Sequence, residues 1–137
     1  GWGWKSRLSN VNAAVIGVKF RYIDWIHERR EEIARRYNEA FAGIHLKTPH
    51  ERVGRVWQEY HLQVSNRDTF AARLRSHGIE TLTRDTVPNH KMDGLGLSHW
   101  SLPVTERLAR EVTRLPFHEW LTDDEVGEVI DAVRKIV

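Results

Sequence analysis

The sequence predicts an α+β domain: a long N-terminal helix and further helices packed on a small, largely antiparallel sheet. Three observations lead to this prediction. Apolar residues recur at helical spacing from Ser9 to Phe41, period-two alternation indicates a strand around Tyr60, and a capping box at Thr122 begins a last helix. With 137 residues, of which 40% are hydrophobic, the chain fits one domain with a modest core.

Residues 1–46 are predicted to be a long helix region at an interdomain or dimer contact. Within it, Ser9–Phe41 is predicted to be helical almost throughout, with a stop at Gly43. A helix from Ser9 to Phe41 exceeds the usual globular length, so we expect a break around Arg21–Trp25. The charged segment Glu28–Arg36 is predicted to face water. The helix carries two apolar stripes, at Val11, Ala14, Val15 and Val18 and at Ile26, Ile33, Tyr37, Ala40, Phe41 and Ile44. Because so small a domain cannot bury both stripes, we expect this region to contact another domain or a second subunit.

Residues 47–137 are predicted to form the α+β layer of the same single domain. A strand at 56–64 buries Tyr60, Leu62 and Val64, and a helix at 67–77 is capped by Asn66. A second strand follows at 79–83.

The second half of this layer begins with a loop at 84–100, which has no periodicity and is long enough to suggest a functional role. Pro103 begins a helix that is expected to turn Val104, Leu108 and Val112 inward. A short strand at 114–117 is expected at the sheet edge because Pro116 cannot donate a hydrogen bond. The last helix has its core stripe at Val126, Val129, Ile130, Val133 and Ile136.

Composition argues against several partners. Twenty-one basic and nineteen acidic residues are interleaved and give a net charge of only +2, which is typical of salt-bridged surfaces and not of a nucleic-acid-binding stripe. No apolar run approaches the ~20 residues that span a bilayer, so no membrane partner is expected. No signal peptide is visible, and the absence of cysteine is consistent with a reducing compartment. We therefore expect a cytoplasmic protein. Because it begins with Gly1 and not with Met, we expect the chain to be a fragment, a processed product or a shortened version of a longer chain.

The chain contains no complete catalytic motif. Its eight histidines are scattered without metal-ligand spacing, and it has neither a nucleophile elbow nor a phosphate-binding glycine loop. No catalytic residue and no metal site are predicted here.

One stretch does favour an anion. Lys5 and Arg7 precede a helix start that Ser9 or Asn10 can cap, and helix N-termini attract phosphates and carboxylates. The alternative is a solvated basic turn.

The same stretch, GWKSRLSNVNAA at residues 3–14, resembles the signature of the DegT/DnrJ/EryC1/StrS family of pyridoxal-phosphate-dependent nucleotide-sugar aminotransferases. The resemblance continues in order along the chain. The matching segments are Arg29–Asn38 of the charged helix, the strand Tyr60-His61-Leu62, the helix–strand unit Arg67–Ile79, Val87-Pro88-Asn89-His90, Pro103–Glu111 and Leu115–Val126. One departure is Arg84-Asp85-Thr86, where the family usually has His-Tyr-Pro.

The resemblance implies the C-terminal small domain of a fold type I enzyme. The pyridoxal 5'-phosphate would be bound mainly by a large domain upstream, and the complete enzyme would be a homodimer using an amino-acid donor such as glutamate and a keto sugar, usually nucleotide-linked. Lys5 and Arg7 would be the cofactor-binding residues of this chain. Lys5 would reach the cofactor phosphate of the other subunit, and Arg7 would help to hold the same turn or meet a substrate carboxylate. Arg84 and His90 would contribute to sugar choice. Two alternatives stay open: a dehydratase of the same family, and an interaction module that has kept the fold without the chemistry.

Overall fold

The computed structural model describes residues 7–49 and 54–137. In this part of the chain, five α-helices accompany a two-stranded antiparallel sheet, which confirms the predicted α+β class. The elements are α1 (Asn10–Phe20), α2 (Ile23–Ala40), β1 (Tyr60–Gln63), α3 (Arg67–Ser76), a 3-10 turn (Asn89–Lys91), α4 (Pro103–Glu111), β2 (Val112–Leu115) and α5 (Asp123–Ile136).

The predicted break in the N-terminal helix is confirmed at Arg21 and Tyr22, between α1 and α2. α2 ends at Ala40, and Gly43 then adopts a positive φ of 80°, a conformation that glycine reaches without steric cost. The two helices differ in their surroundings. α1 buries none of its residues, whereas α2 buries Ile33, Ala34 and Tyr37.

The core is built around Tyr60, which is fully buried on β1. Its ring lies 4.9 Å from that of Tyr37 and 5.8 Å from that of Trp57, centroid to centroid. Both buried hydroxyls have acceptors: Tyr60 donates to Asn38 Oδ1 at 2.7 Å and Tyr37 donates to the carbonyl of Pro116 at 2.9 Å. α5 closes this core with Val126, Val129, Ala132, Val133 and Ile136.

The sheet differs from its prediction at two places. The strand expected at 79–83 is wrong, because only Leu82 pairs, through a single antiparallel bridge to Arg114. The strand predicted at 114–117 is present but lies two residues earlier in the chain, and its predicted position at the sheet edge is wrong. β2 begins at Val112 and ends at Leu115, with β1 along one side and Leu82 on the other. Pro116 follows the last paired residue, so its missing N–H costs the ladder nothing.

The charged face of α2 is not simply solvated, contrary to prediction. Arg30 donates to Glu119 Oε2 at 2.8 and 3.1 Å and to the carbonyls of Trp57 and Gln58. Arg29 donates to the carbonyl of Leu121 at 2.6 Å. The two arginine side chains are only 16% and 21% exposed. They are shielded from water because they lie between α2 and the segments that precede β1 and α5.

α4 differs from its prediction as well. It carries an apolar face, but Val104 is 59% exposed, Leu108 is 38% exposed, and none of its residues is buried. Periodicity fixes which residues share a face, whereas burial depends on what lies opposite that face. Within the described residues, this face of α4 borders a cavity.

Candidate functional site

A cavity of about 790 Å³ lies between α4, the ends of both strands and the loop that contains the 3-10 turn. Arg84 and His90, the two residues predicted to contact a substrate, both line it. Much of the remaining wall is apolar, with Val87, Pro88, Leu97, Trp100, Leu102 and Leu108. Volume and lining are those of a small-molecule pocket.

Arg114 lies at the polar end of the cavity, held from two sides. Its Nε lies 3.0 Å from Glu59 Oε2, and its Nη2 lies 3.1 Å from Asp85 Oδ2. The Arg114 side chain is 13% exposed, so these contacts are partly shielded from water. Arg84 is held much less tightly, with its Nη1 3.9 Å from Glu59 Oε1 and its side chain 59% exposed. Arg84 is therefore the more available of the two cations.

Asp85 has a φ of 57°, the only positive φ among the non-glycine residues that the structure describes. Aspartate is one of the few residues that visit this region as single residues. Its carboxylate contacts Arg114, so the ion pair and the left-handed backbone occur together beside the cavity.

His61 faces Arg114 across the sheet, in direct register. Arg114 Nε lies 3.1 Å from His61 Nε2, and an arginine can only donate, so Nε2 is the acceptor and the neutral imidazole carries its proton on Nδ1. Burial, and then the positive charge of Arg114, lower the pKa of His61.

This lowered pKa predicts a loss of stability on mild acidification. The unfolded chain takes up the His61 proton near pH 6.5, before the folded chain does, so stability present above that pH falls as the pH decreases. We expect urea midpoints of the chain to decline between about pH 6.5 and 5. His61→Gln, which keeps an acceptor for Arg114, should flatten that decline. The exposed His45, replaced by Gln, is the control; equal slopes for parent and His61→Gln would contradict the assignment.

His90 is 5% exposed, and its Nε2 lies 3.0 Å from Glu106 Oε1 on α4. The same oxygen accepts the backbone N–H of Leu102 at 3.1 Å. The hydrogen bond from His90, followed by that from Leu102, lowers the pKa of Glu106. His90 is thus tied to α4 at the cavity wall, and its contact with a substrate stays a prediction.

Of the two residues predicted to hold a cofactor, Lys5 lies outside the described residues. Arg7 is exposed just before α1, where Ser9 Oγ accepts the N–H of Asn12 at 3.2 Å. The first N–H groups of a helix have no acceptor within it, so an exposed cation beside them fits a phosphate group.

Sequence reasoning missed Glu59, Asp85, Glu106 and Arg114. The alternation in β1 does put Glu59 and His61 on its polar face, which was a usable signal. Their pairing with Arg114 required the strand register. Among residues 7–49 and 54–137, no three His, Cys, Asp or Glu side chains gather as a metal would require. The helices of that same part are all too short or too polar to span a bilayer.

The chain is similar to known sugar aminotransferases. It is 33% identical to dTDP-3-amino-3,6-dideoxy-alpha-D-galactopyranose transaminase from Aneurinibacillus thermoaerophilus, over 97% of this chain and 38% of that protein. It superposes on a DegT DnrJ EryC1 StrS aminotransferase from Brucella abortus with a TM-score of 0.85 and 32% identity, over 97% of this chain and 37% of that one.

A third similarity concerns the fold alone. NtdA from Bacillus subtilis, solved with bound cofactor PMP, gives a TM-score of 0.89 at 20% identity, over 97% of this chain and 33% of that one. The chain spans well under half the length of each of these proteins. The sequence model of the DegT/DnrJ/EryC1/StrS aminotransferase family matches residues 1–134. The chain therefore belongs to the DegT/DnrJ/EryC1/StrS aminotransferase family.

Proposed function

We propose that this chain is the C-terminal part of a pyridoxal-phosphate-dependent enzyme that moves an amino group from a glutamate-like amino acid to a keto sugar, usually nucleotide-linked. The observation that carries the proposal is the family match over residues 1–134. The 33% identical relative is named as a transaminase of a dTDP-linked sugar, which supports this substrate class. The enzyme would be a cytoplasmic homodimer without nucleic-acid or membrane partners.

Residues 1–46 would form the contact with the large domain and the second subunit. α1 supports this role because it is apolar on most sides yet wholly exposed, with Val11 at 73% and Phe20 at 67% exposure. A helix that is apolar all round is normally covered. In the complete protein we expect that cover to come from the large domain or the partner subunit.

The bound cofactor would supply the electron sink that lets an amino group leave one carbon and join another. The contribution of this chain is positioning. Lys5 and Arg7 would bind the cofactor phosphate, and the cavity beside α4 would hold the sugar. Arg84, which stands where the family usually has histidine, would meet a phosphate or carboxylate of the substrate.

The complete protein, supplied with pyridoxal phosphate, glutamate and a set of dTDP- and UDP-linked keto sugars, tests this function. We expect an amino sugar and 2-oxoglutarate in equal amounts. A deoxygenated sugar without nitrogen would favour the dehydratase alternative. No turnover, with correct folding, would favour the interaction module. The isolated chain should be inactive in every case.

Lys5→Ala should weaken cofactor binding by the complete dimer. A lysine–phosphate contact is charge-assisted, so its loss should cost about 1.5–3 kcal/mol. This corresponds to a roughly tenfold to hundredfold increase in the cofactor dissociation constant. Lys5→Asn should recover much of the loss because an amide still donates a hydrogen bond. Titration with the cofactor, followed by absorbance, measures the cofactor dissociation constant of each variant.

The matched control is Lys19→Ala, which removes a lysine from the last turn of α1. It should bind cofactor like the parent. If Lys5→Ala and Lys5→Asn also bind like the parent, Lys5 is a solvated turn residue.

A further inference from the structure

Two side chains of the cavity loop and the N-cap residue of α4 converge on one carboxylate oxygen of that helix. Glu106 Oε1 accepts from His90 Nε2 at 3.0 Å and from the Leu102 N–H at 3.1 Å, and Lys91 Nζ lies 3.7 Å away. Lys91 also donates to the carbonyl of Trp100 at 3.2 Å. His90 and Lys91 of the loop are thus fastened to a single side chain of α4.

This fastening occurs in an exposed part of the chain, since residues 91–102 are all exposed. α4 buries none of its residues, and between Met92 and Leu102 the chain has no helix or strand. The Glu106 side chain is 27% exposed and that of His90 only 6%, so the charge-assisted contact is largely out of water. Such bonds are stronger than hydrogen bonds between neutral groups.

Glu106 does not line the cavity, although residues on both sides of it do. Leu108 and Val112 line the cavity from α4 and its end, while His90 and Trp100 line it from the loop. Glu106 lies between these two sides without lining the cavity itself. Its contact with His90 therefore links the two walls of the cavity.

We propose that Glu106 is a positioning residue for the sugar site. It acts through His90 and Lys91 to hold the loop against α4, so the cavity keeps the width that the substrate needs. The role in substrate binding rests on the proposed function, whereas the fastening of the loop does not.

Hydrogen exchange on the complete protein tests the fastening without any activity. In Glu106→Ala, the hydrogen-bonded loop amides of Lys91, Met92 and Trp100 should exchange about tenfold faster or more, the loss expected for a hydrogen bond to a charged group. Amides of α5 should keep their parent rates. Glu106→Gln, which retains an oxygen acceptor for Leu102, should fall between parent and Ala. Arg110→Ala, an exposed change on the same helix, should match the parent.

Either of two exchange results overturns the proposal. Unchanged loop amides in Glu106→Ala would mean that Glu106 does not hold the loop. A uniform acceleration that includes α5 would mean that it stabilises the whole domain and not the cavity.

Steady-state kinetics then test the link to substrate. Glu106→Ala should raise the KM of the keto sugar about tenfold, with the KM of the amino donor and kcat close to the parent. Because Glu106 acts through His90, the double variant with His90→Ala should be no worse than the worse single variant. Additive effects would overturn this coupling. A protein without transaminase activity refutes the proposed function, and the exchange result still decides the fastening.

Discussion

Tyr60→Ala should lower the free energy of unfolding by about 3–5 kcal/mol, the range measured when a large buried aromatic is truncated. Tyr60 is fully buried and stands among Tyr37, Phe41, Trp57 and Phe117, with ring centroids 4.9 to 6.4 Å away. Removing it leaves a cavity between these four aromatic rings. It also removes the hydroxyl that donates to Asn38. This loss is a large fraction of the total stability, about 5–15 kcal/mol, that is typical of folded domains.

Urea unfolding of the chain, followed by tryptophan fluorescence, gives the measurement. Tyr60→Phe keeps the ring and loses only the hydrogen bond to Asn38, so it should cost about 1 kcal/mol. Tyr22→Ala is the matched control because Tyr22 is 58% exposed, and it should cost less than about 0.5 kcal/mol. A Tyr60→Ala midpoint near that of the control would show that the aromatic cluster is not the centre of the core.

Arg30→Met should lower the free energy of unfolding by about 2–3 kcal/mol, somewhat below the range for a fully buried pair because Arg30 is 21% exposed. The substitution keeps most of the aliphatic length and removes the charge. Glu119, at 17% exposure, then loses its cation, and the carbonyls of Trp57 and Gln58 lose a donor. The contact with Arg30 also helps to lower the pKa of Glu119, second to the carboxylate's bond with its own backbone N–H.

A double-mutant cycle isolates the ion pair from the carbonyl contacts. Glu119→Gln alone should destabilise the chain, and combined with Arg30→Met it should cost less than the sum of the two single changes. Arg35→Met is the control, since Arg35 pairs with Glu39 on the exposed face of α2. If Arg30→Met proves no more costly than Arg35→Met, Arg30 contributes no more than a surface charge does.

Sequence patterns predicted the helices well because helix caps and breaks depend on residues that are near one another in the sequence. The capping box at Thr122 and Glu125 is present with both of its bonds, and the break at Arg21 lies where helix length required one. The alternation around β1 correctly indicated that Tyr60 and Leu62 are buried. Each of these features depends on residues within a few positions of one another.

The errors share a different cause. The segment 79–83 was predicted as a strand but forms only one bridge, at Leu82, and Leu108 of α4 was predicted to be buried but is partly exposed. Both outcomes depend on segments that lie elsewhere in the chain. The burial of Arg30 likewise required Glu119, 89 positions away. Local patterns carry no information on such partners.

The residues of the candidate site also fall into two groups, those that the sequence predicted and those that only the fold reveals. Arg84 and His90 were predicted from the loop and the family signature, and they do line one cavity. Their neighbours Arg114 and Glu106 are brought close by β2 and α4, so only the fold reveals them.

The exposure of α1 has a thermodynamic consequence. An eleven-residue helix is only marginally stable on its own in water, and no buried side chain of α1 links it to the core. Its helical order is therefore coupled to whatever packs against it, while the core from Ile33 onward draws its stability from within the chain. Docking must offset the conformational entropy lost in ordering α1, so the affinity of that contact and the helicity of α1 should rise and fall together.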